Sequence, residues 1–252
     1  MPKVLVLFSS RTGSTAAVAD AIAEGAETVK FTEVELRRID AAAPPTDLDA
    51  NDQWRAGRSA LATKYRTLES VESLAHYDAL IIGGTVRAGI ISPELNDTLD
   101  QAASLARRGA LVDKVGSAFG PVATLSGDGE PNVMPMLLPL MRFGMIIVPP
   151  GFNATTSTAG QPSGVATAGG TALAAGDLSL ARQLGARVAK VAEWVRHAKS
   201  HEAHGHSQGH SQGHSQGHSQ GHSHEHSHEH SHEHSHEHSH GHSHGHSHGD
   251  SR

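Results

Sequence analysis

Hydrophobic and polar positions along the chain fall into two alternating patterns. Short apolar or β-rich runs at 3–8, 33–38, 79–83, 114–120 and 145–148 each predict a strand. Helical spacing predicts helices over 15–25, 71–74, 92–105, 132–143 and 177–197. In the last, Leu180, Leu184, Val188, Val191 and Val195 share one face, which suits packing against a sheet. Alternating strands and helices predict an α/β fold built on a doubly wound parallel sheet. Two segments interrupt the rhythm. Residues 41–66 are polar, with Pro44-Pro45 near the start and helical character around 58–68, and residues 153–176 are rich in Gly, Thr and Ala. Loops of such length are functional or disordered more often than not.

Composition divides the 252 residues near position 199. Residues 1–199 are rich in Ala, Val, Leu and Gly and suffice for one domain with a sizeable core. Residues 200–252 form a low-complexity tail that holds nearly all of the 22 histidines, spaced by Ser, Gly, Gln and Glu. The net charge of −6 comes mostly from that tail, and the nearly balanced body does not suit nucleic acid. The chain has no cysteine, which excludes disulfides, thiolate metal sites and cysteine catalysis and is compatible with the cytoplasm. It enters its first strand directly, so no secretory leader is expected. The apolar stretch 133–152 is broken by Pro135, Pro139, Arg142, Gly144, Pro149 and Pro150, and a soluble protein without a membrane partner is expected.

The candidate chemistry lies where strands end. After the first strand come Ser9, Ser10, Arg11, Thr12, Gly13, Ser14 and Thr15, opening a helix. Helix N-termini offer unpaired N–H groups and partial positive charge, so this loop suits a phosphate, with hydroxyls and one arginine as added donors. The same residues also suit an ordinary strand–turn–helix with capping hydroxyls. Two further loops, 83–89 and 119–130, are rich in glycine and poor in bulky side chains, which lets backbone groups approach a flat polar ring. In open parallel sheets, ligands bind beyond the carboxyl ends of the strands, where all three loops fall. The glycine fingerprint of a dinucleotide-binding first loop is absent, and no Ser-His-Asp arrangement is visible. His76 and His197 are expected at the surface near helix ends.

The run from Ser10 to Thr15 resembles the flavodoxin phosphate loop. The runs ESLAHYDALIIGGTVRAG (72–89), GALVDKVGSAF (109–119), FGMIIV (143–148) and GDLSLARQLGARVA (176–189) resemble the tryptophan-repressor-binding-protein type of NAD(P)H:quinone oxidoreductase. The similarity spans residues 3–196 in the same order. It implies a flavodoxin-like five-stranded sheet of order 2-1-3-4-5 and FMN as cofactor. By position, Ser10, Arg11, Thr12, Gly13, Ser14 and Thr15 hold the FMN phosphate. Thr85, Val86, Arg87, Ala88 and Gly89 border the isoalloxazine. Phe119, Gly120, Pro121, Val122 and Ala123 line the ribityl chain and ring. Arg142 takes the place of the family's histidine at the pyrimidine end, where its fixed charge either tunes the flavin or makes a surface ion pair. The chain departs from the family at Ala88, where an aromatic is usual, near Ala106, where a tryptophan is usual, and in the wording of the third loop.

The activity implied is two-electron, ping-pong hydride transfer from NAD(P)H through the flavin to a quinone or similar acceptor, with no catalytic side chain required. Members of the family also imply a homo-oligomer, a dimer or tetramer. A flavodoxin-type electron carrier is the alternative, as is a metal-storage or metallochaperone protein on the same scaffold. The tail consists of GHSQ, HSHE and HSHG repeats and is expected to be disordered without a ligand. Its imidazoles at His206, His210, His214, His218, His222, His224, His226, His228, His230, His232, His234, His236, His238, His240, His242, His244, His246 and His248 are candidate ligands for divalent metal ions, with Zn, Ni or Cu suited to them. A solubilising or purification tail would share this composition.

Overall fold

Strand β1 (Lys3–Phe8) is buried on both faces because its apolar run has no polar side to offer water. It pairs in parallel with β2 (Glu33–Arg38) on one side and β3 (Ala79–Gly83) on the other. In this computed structural model residues 1–10, 13–40, 52–87, 89–122, 133–151, 165–168 and 175–208 are described. Strand β3 pairs with β6 (Val115–Val122), and β6 with β7 (Ile146–Ile147), again in parallel. The order β2-β1-β3-β6-β7 is that expected of the five main strands. A short antiparallel pair, β4 (Val86–Arg87) and β5 (Ile90–Ile91), stands apart from the main sheet.

The fifth position of the sheet is filled twice. β7 flanks Val115–Gly116, and β8 (Val165–Ala168) flanks Phe119–Val122 on the same strand. Between them, the Val148 N–H donates to the Gly116 carbonyl at 2.9 Å and Ser117 Oγ donates to the Val148 carbonyl at 2.8 Å. The glycine- and threonine-rich stretch read as loop over 153–176 therefore contains a strand. Its small polar residues gave no alternating signal.

Helices cover both faces. On one, α1 (Ser14–Glu27) and α5 (Ala175–Gln208) pack against Val4, Val6, Phe8, Ile81, Val115 and Phe119. On the other, α3 (Pro93–Arg107) and α4 (Met134–Arg142) cover Leu5, Leu7, Leu80, Ile82 and Ala118. A short 3₁₀ turn at Val71–His76 leads into β3, capped by Ser70 Oγ, which accepts the Ser73 N–H. Helix α2 (Asp52–Lys64) begins and ends earlier than the helical character read over 58–68. Residues 66–68 run extended beside β2 instead: the Arg38 N–H donates to the Arg66 carbonyl and the Leu68 N–H to the Arg38 carbonyl, both at 2.9 Å. Pairing the sheet edge outweighed local helix propensity there. Helix α5 outruns its expected end at 197, since Ala198, Lys199, Glu202 and Ala203 are good helix formers with no proline among them. Among the described residues, no helix is long and apolar enough to cross a membrane.

The α1–α5 contact is backbone against backbone. A Cβ on Gly25 would lie 1.9 Å from the Arg182 carbonyl oxygen, and one on Gly185 would lie 1.9 Å from that of Ile22. Neighbouring Ala19, Ala26, Ala181 and Ala189 keep the same approach clear. Gly185→Ala should thus destabilise the fold by about 1–3 kcal/mol in chemical denaturation, although alanine is the better helix former. Gly176→Ala, where an added methyl meets nothing within 4 Å, should be neutral or stabilising.

Both tyrosines of the chain are buried with their hydroxyls donating to carboxylates: Tyr65 to Asp20 at 2.8 Å and Tyr77 to Glu35 at 3.0 Å. Burial, reinforced by the Glu35 carboxylate, pushes the Tyr77 phenol up to about 12, and burial raises Tyr65 as well. A phenol whose pKa is raised on folding contributes stability that is complete below about pH 10 and lost as pH climbs toward its folded value. Tyrosinate absorbance should therefore appear together with loss of helical circular dichroism in an alkaline titration. Tyrosinate forming near pH 10 in a chain that remains helical would contradict this.

Candidate functional site

Because the strands are parallel, the carboxyl ends of β1, β3 and β6 meet at one edge, and the three loops read from the sequence leave from there. The loop after β1 is tied to its neighbour by the Ser9 N–H, which donates to the Gly83 carbonyl at 2.9 Å. Gly13 precedes α1 at φ +101°, a left-handed conformation that side chains resist. Its N–H is accepted by Ser10 Oγ at 3.1 Å, and its carbonyl accepts the Ala17 N–H at 3.0 Å, which starts the helix. The first turn of α1 carries no acidic residue and no side-chain cap. It combines orphan helix N–H groups with the half-buried Ser10 and Ser14 and the buried Thr15. Such a turn can take an anion. Arg11 and Thr12 lie outside the described residues.

At their carboxyl ends, strands β3 and β6 touch. A Cβ on Gly120 would lie 2.5 Å from the Gly84 carbonyl oxygen, and one on Gly83 would lie 2.1 Å from the Phe119 ring. The Gly84 N–H donates to the Phe119 carbonyl at 3.3 Å. Phe119 is thereby corrected as a wall of the site: its ring is fully buried beneath Gly83 in the α1–α5 core, and only its backbone faces the loop edge. Thr85 is half-buried, and its carbonyl accepts the Ser92 N–H at 3.0 Å. Val86 is buried, Gly89 turns the β4–β5 pair at φ +76°, and Ile90 projects 71% exposed. The Arg87 side chain and Ala88 lie outside the described residues, as do the side chains of Pro121 and Val122 and the loop from Ala123 to residue 132.

Arg142 is a second correction. It ends α4, which runs back from the carboxyl edge so that β7 can enter beside Val115. The nine-residue helix spans about 13 Å, so exposed Arg142 sits at the amino edge, away from the three loops. Ala106 shares that position. It lies near the end of α3, packed against the core at the amino edge.

One feature of the site was missed by sequence reading. Ser92 Oγ donates to Ser9 Oγ at 3.3 Å, and Ser9 Oγ donates to the carboxylate of Glu94, in a buried chain from α3 to the root of the first loop. Glu94 is only 7% exposed and sits in the first turn of α3, where the helix dipole favours its charge. The signal available was weak, since an acid after Pro93 reads as ordinary first-turn chemistry. Of the tail histidines, His206 falls on the backbone of α5, and His210 to His248 lie outside the described residues. His76 and His197 are both exposed. Among the described residues no group of three or more His, Asp or Glu side chains is arranged to hold a metal.

The sequence profile of the NADPH-dependent FMN reductase family matches residues 2–159. A protein of Rhodopseudomonas palustris named NAD(P)H dehydrogenase (quinone) is 35% identical over 180 residues, covering 70% of this chain and 85% of its own length. One of the same name from Azorhizobium caulinodans is 36% identical over 206 residues, covering 76% of this chain and 98% of its own. Among solved structures, a flavodoxin, WrbA-like protein from Agrobacterium tumefaciens superposes with a TM-score of 0.52 at 23% identity, covering 77% of this chain and 99% of that one, a likeness of fold.

Loss of the Ser9 hydroxyl leaves the Glu94 carboxylate buried without that donor. Ser9→Ala should destabilise the fold by about 1.5–3 kcal/mol, as expected for a hydrogen bond to a charged group. Glu94→Gln keeps an acceptor for Ser9 and should cost less. Urea denaturation of the two variants checks the order.

Proposed function

The chain belongs to the NADPH-dependent FMN reductase family, and on that premise we propose that it is an FMN-dependent NAD(P)H:quinone oxidoreductase with a metal-binding tail. The observation that supports this most is the first turn of α1, with Gly13 left-handed before it, no acid within it and the hydroxyls of Ser10, Ser14 and Thr15 around it. The donor set fits a phosphate monoester. In this reading Arg11 and Thr12 complete the phosphate contacts. The backbone of Gly84, Thr85, Gly89 and Gly120 forms a ledge for a ring edge, with the Gly84 N–H and the Thr85 carbonyl paired within the fold, and Val86, Arg87, Ala88, Pro121, Val122 and Ala123 border the same ring.

FMN held there would supply two-electron redox chemistry between NAD(P)H and a quinone. The chain's own part is to bind and orient. Ser92, Ser9 and Glu94 fix the root of the phosphate loop against α3, and the contact of Gly84 with Gly120 fixes the spacing of the other two loops. No side chain among the described residues is needed as acid, base or nucleophile. The proposal extends to a flavin domain at 1–199, a tail at 200–252 that takes Zn, Ni or Cu, a cytoplasmic location and assembly as a dimer or tetramer.

Full-length protein purified from cells should show flavin absorbance bands, or acquire them on adding FMN, and should then oxidise NADH or NADPH only when a quinone is supplied. A colourless protein that rejects FMN would overturn the proposal. Flavin binding without quinone turnover would reduce it to an electron carrier.

A further inference from the structure

Helix α5 brings two imidazoles together on its exposed side. Nε2 of His201 lies 3.1 Å from Nε2 of His197, with ring centroids 4.4 Å apart and ring planes at 88°. Their i, i+4 spacing sets them one turn apart on one face of the helix. Two metal–nitrogen bonds of about 2.0–2.1 Å span about 2.9 Å when they meet at a right angle and about 3.3 Å at the tetrahedral angle. The observed separation falls between these limits. We propose that His197 and His201 form a bidentate site for a zinc-like divalent transition-metal ion at the start of the histidine-rich tail.

The surroundings suit a cation. The nearest basic side chains in sequence are turned elsewhere: the Arg196 guanidinium donates to the Met1 carbonyl at 2.5 Å and to Asp78 at 3.2 Å, and the Lys199 ammonium lies 3.4 Å from the Asp113 carbonyl oxygen. Glu193, exposed four residues before His197, adds negative charge on the same face. Without metal, one neutral imidazole donates its Nε2–H to the lone pair of the other. An ion takes both lone pairs, and the displaced proton moves to Nδ1 of its own ring. Water completes the coordination of the ion, so the pair stands apart from the reading of the tail as a metal-binding segment.

Titration of the full-length chain with Zn²⁺, followed by long-range ¹H–¹⁵N imidazole spectra, tests the site. The resonances of His197 and His201 are assigned by their loss in His197→Gln and His201→Gln. Both should shift with the first equivalent of Zn²⁺, and His197 should cease to respond in His201→Gln. The pair is overturned if its resonances stay fixed while those of the tail shift, an outcome that leaves the tail reading intact. It is equally overturned if His197 responds as fully in His201→Gln. Shifts of the pair without shifts in the tail support the site and remove the tail reading, and silence throughout removes both.

Discussion

All else in this structure depends on a parallel sheet covered on both faces. β1 alternates Val4, Val6 and Phe8 toward α1 and α5 with Leu5 and Leu7 toward α3 and α4, so the central strands must be apolar on both sides and the crossovers between them carry helices. That constraint sorts polar groups by edge. At the amino edge the described chain ties up its own groups: the Lys3 N–H donates to the Asp78 carboxylate at 2.8 Å, and the Asp78 N–H donates to the Lys3 carbonyl at 2.8 Å. The half-buried Lys114 ammonium donates to the carbonyls of Ala75 and Tyr77, and burial lowers its pKa. At the carboxyl edge, left-handed Gly13, the turn at Gly89 and the first turn of α1 present backbone groups outward. One edge is closed with side chains and the other is left to a ligand.

Glycine carries the second constraint, in two places and with the same physics. At the α1–α5 crossing, Gly25 and Gly185 let carbonyl oxygens sit where a Cβ would be, which brings α5 tightly over the sheet. At the site, Gly83, Gly84 and Gly120 let the ends of β3 and β6 touch, with the Phe119 ring filling the space below. A ledge made of backbone has fixed dipoles and no titratable groups, so it can orient a polar ring without adding acid–base chemistry. This suits a cofactor that brings its own reactivity better than a substrate that needs a protein nucleophile.

How far the sequence could be read follows from the same constraints. β1 and β3 were legible to the residue because five or six consecutive positions are apolar and buried, and β2 because Val34 and Leu36 alternate with charged residues at the sheet edge. The two-residue strands β4 and β5 carry too little pattern to be seen, and β8 is written in small residues that fit loop and strand alike. Phe119 was misjudged as a site wall although the alternation in β6 gave its side: Val115 and Phe119 share one core and Ala118 belongs to the other. Arg142 was misjudged because a linear match ignores helix direction, and a residue at the end of a crossover helix sits at the edge opposite its beginning. The Ser92–Ser9–Glu94 chain joins residues more than eighty positions apart and had no local signature.

The long α5 helix joins these two themes. Its first half is fixed by α1 through Leu180, Ala181, Leu184 and Val188, so its later turns inherit a defined direction. Two imidazoles on those turns have most of their backbone freedom removed before any ligand arrives. Two imidazoles on any unordered backbone lose about 1–2 kcal/mol of backbone entropy per residue ordered when an ion draws them together. Equal donor atoms are therefore unequal sites, and the position where a repeat array meets an anchored helix is the one where chelation needs the least ordering.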